Sequence, residues 1–414
     1  MGKIIEYNTK GTCSKKILIE LDGDVIADCK FIGGCPGNTF GVASLVKGMK
    51  KEEFGNTSEK RKLSRKQKIL ISSIAVLTGF SGTVVGGMVI AYNALFPRYN
   101  RPDYTLTAGN YCYERVQDSL SREEFYFFSK NEKLKGYYYP AENSKGLVVV
   151  AHGYHAGADD YIPLIAYMVG CNYSVFTYDV TGTYDSEGES QVGWCQSLID
   201  LDYALRYVEK TEPYSTQPLF LIGHSWGGYA ATSVLSLHKN VRACAGIAPM
   251  NNAPMIMVEK GEESVGKLAD TAKPIFTAYQ KLLFKNYVKY NGVMGINSVD
   301  IPVLIAQGVD DKTITYDGQS VMAHKEEITN PNVRYYVGYG EQGDHNNIWH
   351  SVRAANYQKE VESQLKKLQI EKGGKLTDNE KREFYKSVDH TLYSEVNEEL
   401  MEQIVAMFDK TYER

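Results

Sequence analysis

Along this chain the hydrophobic positions follow three different rhythms. Over residues 16–32 they alternate with polar ones, as Ile17, Ile19 and Leu21 and then Val25, Ala27 and Phe31, with Asp22-Gly23-Asp24 at the break. A period of two buries one face of a strand, and an Asp-Gly step favours a tight reversal, so this stretch predicts a hairpin. A short helix from Phe40 to about Met49 is expected after it. From Ile69 to Phe96 the chain then runs 28 residues without one charged side chain. About 20 apolar residues cross the hydrocarbon core of a bilayer, so the run predicts a transmembrane helix over 69–96. From about Tyr104 onward the pattern becomes short apolar runs separated by stretches of helical length. The runs are 124–128 and 134–139, which look like an opening hairpin, and then 147–150, 174–178, 219–222, 243–248, 303–306 and 333–337. Short continuous apolar runs are strands buried on both faces. Their alternation with helices predicts an α/β fold, a mostly parallel sheet covered by helices on both sides. The segment between Met250 and Asp300 reads as a long insert. The tail from Ser351 to Arg414 is helical by pattern, broken at Gly373-Gly374, with Met407-Phe408 packing back on the sheet.

Charge adds an orientation to the apolar run. Lys60, Arg61, Lys62, Arg65, Lys66 and Lys68 stand directly before it. Basic residues stay on the cytoplasmic side, so the expectation is a single-pass protein of the cell membrane, its N-terminus cytoplasmic and its larger domain outside. Tyr92 and Phe96 would mark the far interface, and Gly82 and Gly86 form a G-x-x-x-G spacing that would permit self-association of the helix. The chain thus divides into a small module at 1–55, a basic linker at 56–68, the membrane helix at 69–96 and a large domain at 97–414. The length of 414 residues accommodates two or three domains. The net charge of −4 argues against a nucleic-acid partner. The seven cysteines, Cys13, Cys29, Cys35, Cys112, Cys171, Cys195 and Cys244, are odd in number and dispersed, with no C-x-x-C. Neither a disulfide framework nor a zinc ribbon is expected, and no cofactor or metal is called for.

Candidate chemistry gathers at the ends of the predicted strands, where open α/β sheets bind ligands. After Leu219–Ile222 comes Gly223-His224-Ser225-Trp226-Gly227, followed by the small residues of a helix start. This is the strand–turn–helix setting of a nucleophile elbow. Ser225 is the candidate nucleophile, and the backbone N–H of Trp226 points where an oxyanion would form. After 147–150 comes Ala151-His152-Gly153-Tyr154-His155-Ala156-Gly157, a glycine-loosened loop from which the Tyr154 N–H can serve as second oxyanion donor. His152 is expected to brace that loop. In the next strand end, Asp179 and Ser186 are expected to tie the turn together. Of the eight histidines, only His324, His345, His350 and His390 follow both the serine and the expected acid. His324 and His390 lie in helical segments. His345 lies in a polar loop directly after the strand at 333–337, where a general base can reach a serine hydroxyl; His350 is the reserve. For the acid, Gly308-Val309-Asp310-Asp311 supplies two neighbouring carboxylates after the strand at 303–306. Asp311 is preferred to Asp310 as the group that orients the imidazole. No further ligands accompany the pair at calcium-loop spacing.

Four motifs in this order resemble the α/β-hydrolase superfamily over about residues 104–414, most of all bacterial serine esterases, lipases and aminopeptidase-like members with an H-G loop and a G-H-S-x-G-G elbow. The resemblance implies the α/β-hydrolase fold, with a helical lid at about 250–300 that builds the acyl or leaving-group pocket. It also implies acyl transfer: Ser225 attacks a carbonyl, His345 takes and returns the proton, and water cleaves the acyl-enzyme. The expected substrate is a small-molecule or lipid-like ester. Amide or peptide hydrolysis would use the same triad, and a catalytically silent binding or sensing ectodomain is the reading from a different class. At the N-terminus, Gly11-Thr12-Cys13-Ser14-Lys15-Lys16, Gly33-Gly34-Cys35-Pro36-Gly37-Asn38 and Val46-Lys47-Gly48-Met49 resemble the TSCPD domain, a small cysteine-bearing domain found alone or appended to ribonucleotide reductases. The distal cysteine motif of that family is missing, with Phe54-Gly55-Asn56-Thr57-Ser58 where it would begin, so the module reads as truncated. Thiolate metal sites take four ligands, and Cys13 and Cys35 alone do not supply them.

Overall fold

The computed structural model describes residues 3–9, 14–33, 43, 44, 46–50, 86–109 and 111–412. The chain divides into two compact units, Met1–Thr83 and Val84–Arg414. Among the described residues of the first unit, β1 (Lys3–Asn8), β2 (Ser14–Asp22) and β3 (Val25–Gly33) form an antiparallel sheet in the order β1-β2-β3. The β2–β3 hairpin is the expected one, turning through Gly23 at φ 63. Strand β1 was not expected, and the reason is physical. All six of its residues are exposed, so it is held by ladder hydrogen bonds to β2 and leaves no burial pattern to read. The small core consists of Leu21, Ile26, Cys29 and Val46. Of the expected Phe40–Met49 helix, residues 43, 44 and 46 are helical; Cys13, Cys35 and residues 51–85 lie outside the described residues.

The transmembrane helix expected over 69–96 is overturned. Residues 86–95 are helical, but no helix among the described residues is long and apolar enough to cross a membrane. The single-pass placement loses its basis, and so does self-association through a membrane helix. The far end of the run shows why a lack of charge misleads. Tyr92 and Phe96, taken as interfacial aromatics, are buried inside the second unit. The Tyr92 ring meets Tyr279 edge-on at 5.4 Å, and Phe96 meets Trp194 and Tyr154 at 5.0 and 5.6 Å. A β-carbon at Gly86 would touch nothing within 4 Å, so no close packing depends on that glycine.

In the second unit, the described residues form one eight-stranded sheet in the order β11-β10-β9-β8-β6-β7-β5-β4. Its strands are β4 (Glu123–Ser129), β5 (Glu132–Tyr139), β6 (Leu147–Ala151), β7 (Ser174–Tyr178), β8 (Leu219–His224), β9 (Val241–Ile247), β10 (Val303–Gly308) and β11 (Val333–Gly338). The strands from β6 to β11 are parallel, and the β4–β5 hairpin joins antiparallel to β7. Alternation along β6 shows how continuous apolar runs serve two cores. Leu147, Val149 and Ala151 face one hydrophobic cluster, Val148 and Val150 the other. The first cluster is closed by α2 (Gln196–Val208) and α3 (Trp226–Val234), the second by α1 (Ile162–Gly170) and the C-terminal helix Glu398–Tyr412. The expected return of the tail is seen in Phe408, whose ring stacks on Phe220 at 4.6 Å. The long insert is helical, with Ala253–Val265, Lys273–Phe284 and Gly292–Asn297 as its α-helices. Strand β6 leads through α1 to β7 on one side, whereas β8 pairs with β6 on the other. Loops diverge at such a reversal and leave a crevice above the carboxyl ends of the strands.

Candidate active site

That crevice lies above β6 and β8, whose register pairs Ala151 with Gly223. Two residues past Gly223, the chain turns sharply into α3, and Ser225 takes φ 56 and ψ −113. A side chain with φ in this region is strained, at a cost of order 1–3 kcal/mol, and persists only where surroundings enforce it. Here the enforcement is close backbone packing. A β-carbon at Gly223 would stand 2.1 Å from the Gly227 carbonyl oxygen, and one at Gly227 would stand 2.0 Å from that of Ala151. The Ser225 N–H donates to the Ile247 carbonyl at 2.8 Å, fastening the elbow to the end of β9.

The structure brings Ser225, His345 and Asp311 together. The Ser225 hydroxyl lies 2.8 Å from His345 Nε2, and His345 Nδ1 lies 2.6 Å from Asp311 Oδ2. All three side chains are at least nine-tenths buried. The turn after β10 holds Asp311 from several directions. Its Oδ1 accepts the N–H groups of Thr313 and Ile314 at 2.8 and 2.9 Å, and its Oδ2 also accepts from Gln307 Nε2 at 2.8 Å. Asp310 is exposed; its own N–H bonds the Gly343 carbonyl at 2.9 Å and so draws the histidine loop toward β10. His350, the reserve base, packs its ring on Trp349 at 4.1 Å, and burial pushes its pKa down to about 4. His324 pairs with Glu327, and His390 donates to the Ala108 carbonyl.

Among the described residues, no acceptor takes the N–H of Tyr154 or of Trp226. The Tyr154 ring is fixed from outside, since its hydroxyl donates to the Leu95 carbonyl and its face meets Trp226 at 5.8 Å. His152 Nε2 accepts the Val180 N–H at 2.9 Å while Nδ1 donates to the Gly153 carbonyl at 2.8 Å. A backbone N–H can only donate, so His152 is neutral with its proton on Nδ1. Burial agrees, lowering its pKa to about 4. Asp179 accepts the Ala158 N–H at 2.9 Å and the Tyr137 hydroxyl at 3.0 Å, and Ser186 donates to the Asp179 carbonyl at 2.5 Å. Burial raises the Asp179 carboxyl to about 7.

Two residues that sequence reasoning missed, Tyr161 and His224, join these loops. The Gly153 N–H donates to the Tyr161 hydroxyl at 2.9 Å, that hydroxyl lies 2.8 Å from His224 Nδ1, and His224 Nε2 lies 3.2 Å from the His345 carbonyl. The directions are forced. A carbonyl only accepts, so Nε2 carries the proton. Nδ1 is then bare in the neutral ring, and Tyr161 donates to it. Burial, with His345 nearby, pushes His224 down to about 3 and keeps it neutral. One chain of hydrogen bonds therefore links the loop before Tyr154 to the residue that carries the imidazole. Tyr161 lies seven positions beyond Tyr154, and no spacing rule marks it.

The family model described as serine aminopeptidase, S33, matches residues 142–294, and that of the TSCPD domain matches residues 3–76. Both resemblances read in the sequence are thus found. The first match includes Tyr154, Ser225 and Trp226 and ends before Asp311 and His345. The second runs past residue 55 through the basic stretch and into the apolar run. An uncharacterized protein YfhR of Escherichia coli O157:H7 is 26% identical over 206 residues, 48% of this chain and 66% of the relative. The monoglyceride lipase of Mus musculus is 30% identical over 130 residues, 31% of this chain and 40% of the relative. The chain thus spans just under two thirds of the first and well under half of the second. Among solved structures, the Pyrococcus furiosus esterase Pf2001 is 20% identical with a TM-score of 0.46, covering 67% of this chain and 98% of that one. The mixed sheet, its crossovers and the S33 match identify the second unit as an α/β-hydrolase fold.

Proposed function

We propose that this protein is a serine hydrolase that cleaves a carboxylic ester through an acyl-enzyme. One observation carries the reading: an unbroken line of hydrogen bonds from Asp311 through His345 to Ser225. With Nδ1–H held by Asp311, Nε2 is bare and can take the Ser225 proton as Oγ attacks the carbonyl carbon. The negative charge that develops on the carbonyl oxygen faces the N–H groups of Tyr154 and Trp226. Such donors stabilise a transition state by about 3–4 kcal/mol each because they are fixed in place beforehand. His345 then gives the proton to the leaving oxygen, and water repeats the sequence on the acyl-enzyme.

The relative named as a monoglyceride lipase favours an ester of a small alcohol. The S33 family description favours amide or peptide hydrolysis as a second reading, since the same groups could protonate a leaving amine. A panel of p-nitrophenyl esters of increasing chain length beside aminoacyl amides separates the two. Turnover confined to the amides would overturn the ester reading.

The hydrogen-bond chain through Tyr161 gives a prediction that distinguishes positioning from chemistry. Tyr161→Phe leaves the Gly153 N–H and His224 Nδ1 without partners, and a buried group left unpaired costs about 1–3 kcal/mol. Both groups sit one residue from a reacting position, so the expected loss is in kcat, about tenfold or more, with KM changed less than about twofold. Steady-state kinetics on one p-nitrophenyl ester checks the split. An equal rise in KM with kcat intact would remove Tyr161 from the positioning of the site.

A further inference from the structure

The apolar run at 69–96 ends on residues that reach the candidate site. Pro97 stops the helix at 86–95, because the residue before a proline is held out of the helical region. The last carbonyls of a helix have no partner within it, and the Tyr154 hydroxyl donates to one of them, that of Leu95. The chain then continues as a strap, residues 96–99, laid along the loop after β7. The Gln191 N–H donates to the Phe96 carbonyl at 3.0 Å, the Tyr99 N–H to the Gly182 carbonyl at 2.9 Å and the Tyr184 N–H to the Tyr99 carbonyl at 2.8 Å. Between them, the Arg98 guanidinium donates to the carbonyls of Tyr184, Ser186 and Gly188 at 2.7, 2.9 and 2.7 Å. The strap is therefore fastened on both sides of Arg98.

Two side chains of this strap bear on Tyr154, whose N–H is the candidate second oxyanion donor. Phe96 is fully buried and meets the rings of Tyr154 and Trp194 at 5.6 and 5.0 Å. Trp194 in turn meets Tyr154 at 5.2 Å and Trp226 at 6.3 Å, and its carbonyl accepts the Trp226 indole N–H at 2.6 Å. The side chains of both oxyanion residues thus belong to one aromatic cluster, into which Phe96 is packed. Tyr99 acts one residue further on. Its ring stacks on His155 at 4.8 Å, and His155 stacks on Tyr154 at 3.9 Å. His155 has φ 51, in the left-handed region where a side chain persists only when its surroundings hold it. A ring from the strap therefore clamps the turn that follows Tyr154. An oxyanion donor is effective only when it is fixed before the charge develops, and these contacts do the fixing.

Resting on the reading of Ser225 as nucleophile and Tyr154 as oxyanion donor, we infer that Phe96 and Tyr99 are positioning residues that hold the Tyr154 N–H where the carbonyl oxygen becomes negative. They act through Tyr154 and His155 rather than on the substrate. Both lie outside the S33 match at 142–294, in the stretch that opens the second unit. Ser225, His345 and Asp311 can be complete while this donor is loose. The loss then falls on the transition state, where the oxygen carries its charge, and little of it falls on substrate binding.

The test uses the full chain, one p-nitrophenyl ester and an alkyl trifluoromethyl ketone as inhibitor. With the ketone, Ser225 Oγ adds to the carbonyl carbon, the π electron pair moves to the oxygen, and the hydroxyl proton passes to His345. The adduct carries the oxyanion, so its inhibition constant reads the donors directly. Loss of a whole donor costs about 10²–10³-fold in kcat; Phe96→Ala and Tyr99→Ala displace one, and are expected to lower kcat about thirtyfold and about tenfold. KM is expected to stay within about twofold, and the inhibition constant to rise by the factor by which kcat/KM falls. Phe96→Leu, which refills the buried space, and Tyr99→Phe, which keeps the ring, are expected to recover most of each loss. Tyr99 is only half-buried, so Tyr99→Ala decides the matter should Phe96→Ala fail to fold. A folded variant with full activity, a fall in kcat with an unchanged inhibition constant, or a rise in KM with kcat intact overturns the inference. Fluorophosphonate labelling of wild-type Ser225 reads the premise separately. A labelled wild type whose variants keep full activity overturns this inference alone, and an unlabelled one overturns both.

Discussion

Ser225→Ala is expected to abolish labelling by a fluorophosphonate probe and to lower ester turnover by at least about 10⁴-fold, the scale on which removing a triad nucleophile acts. On the proposed reading the Ser225 hydroxyl forms the bond to the acyl carbon. What survives in the variant is the residual help of the oxyanion donors and of binding. The substitution is well posed because its other effects are small. Serine and alanine pay the same backbone cost at φ 56, and the glycines that admit the turn are untouched. Alanine also leaves His345 with its bond to Asp311, so the variant should keep its melting temperature within a few degrees. Folded wild-type protein that fails to label would instead favour a catalytically silent binding domain, because a probe of this kind needs little beyond an activated serine and its oxyanion donors. Labelling that persists in Ser225→Ala would move the nucleophile elsewhere.

Asp311→Asn is expected to lower kcat by about 10⁴-fold, while Asp310→Asn stays within about twofold of wild type. The argument runs through the acceptors and donors around Asp311. Thr313 and Ile314 both present N–H groups to Oδ1, so in an asparagine the amide oxygen must turn to them. The NH₂ then falls at the Oδ2 position, against His345 Nδ1 and the NH₂ of Gln307. Nδ1 can keep a hydrogen bond there only by accepting one, which places the imidazole proton on Nε2. An Nε2–H cannot take a proton from Ser225. The charge is lost as well, so an imidazolium formed during attack has no counter-ion. Asp310 is exposed and meets the histidine loop through its backbone N–H, which asparagine retains. Kinetics of the two variants on one ester checks the pair; similar losses in both would overturn the assignment of the acid.

How much of this was legible beforehand differs by element. The central strands β6, β7, β8 and β10 could be read because each is buried on both faces, so its side chains had to be apolar whichever way they pointed. The elbow was legible for a related reason: glycine alone fits at 223 and 227, where a β-carbon would stand about 2 Å from a carbonyl oxygen. Strand β1 was not, since ladder hydrogen bonds from an exposed strand need no particular side chains. The apolar run was misread because lack of charge reports only that side chains leave water. For Tyr92 and Phe96, what receives them is Tyr279, Trp194 and Tyr154, nearly 200 residues away in the first case.

By itself, the amino-acid sequence determined the alternation of strands with helices, the turn at Ser225 and the order in which polar residues follow strand ends, because each depends on residues near one another in the chain. Tertiary structure decided the rest. It separated Asp311 from Asp310, which differ only in which way a turn presents them. It supplied Tyr161 and His224 as the hydrogen-bonded link between two loops. A hydrogen bond is made or missed within a few tenths of an ångström, and only the packed sheet brings groups from distant segments that close.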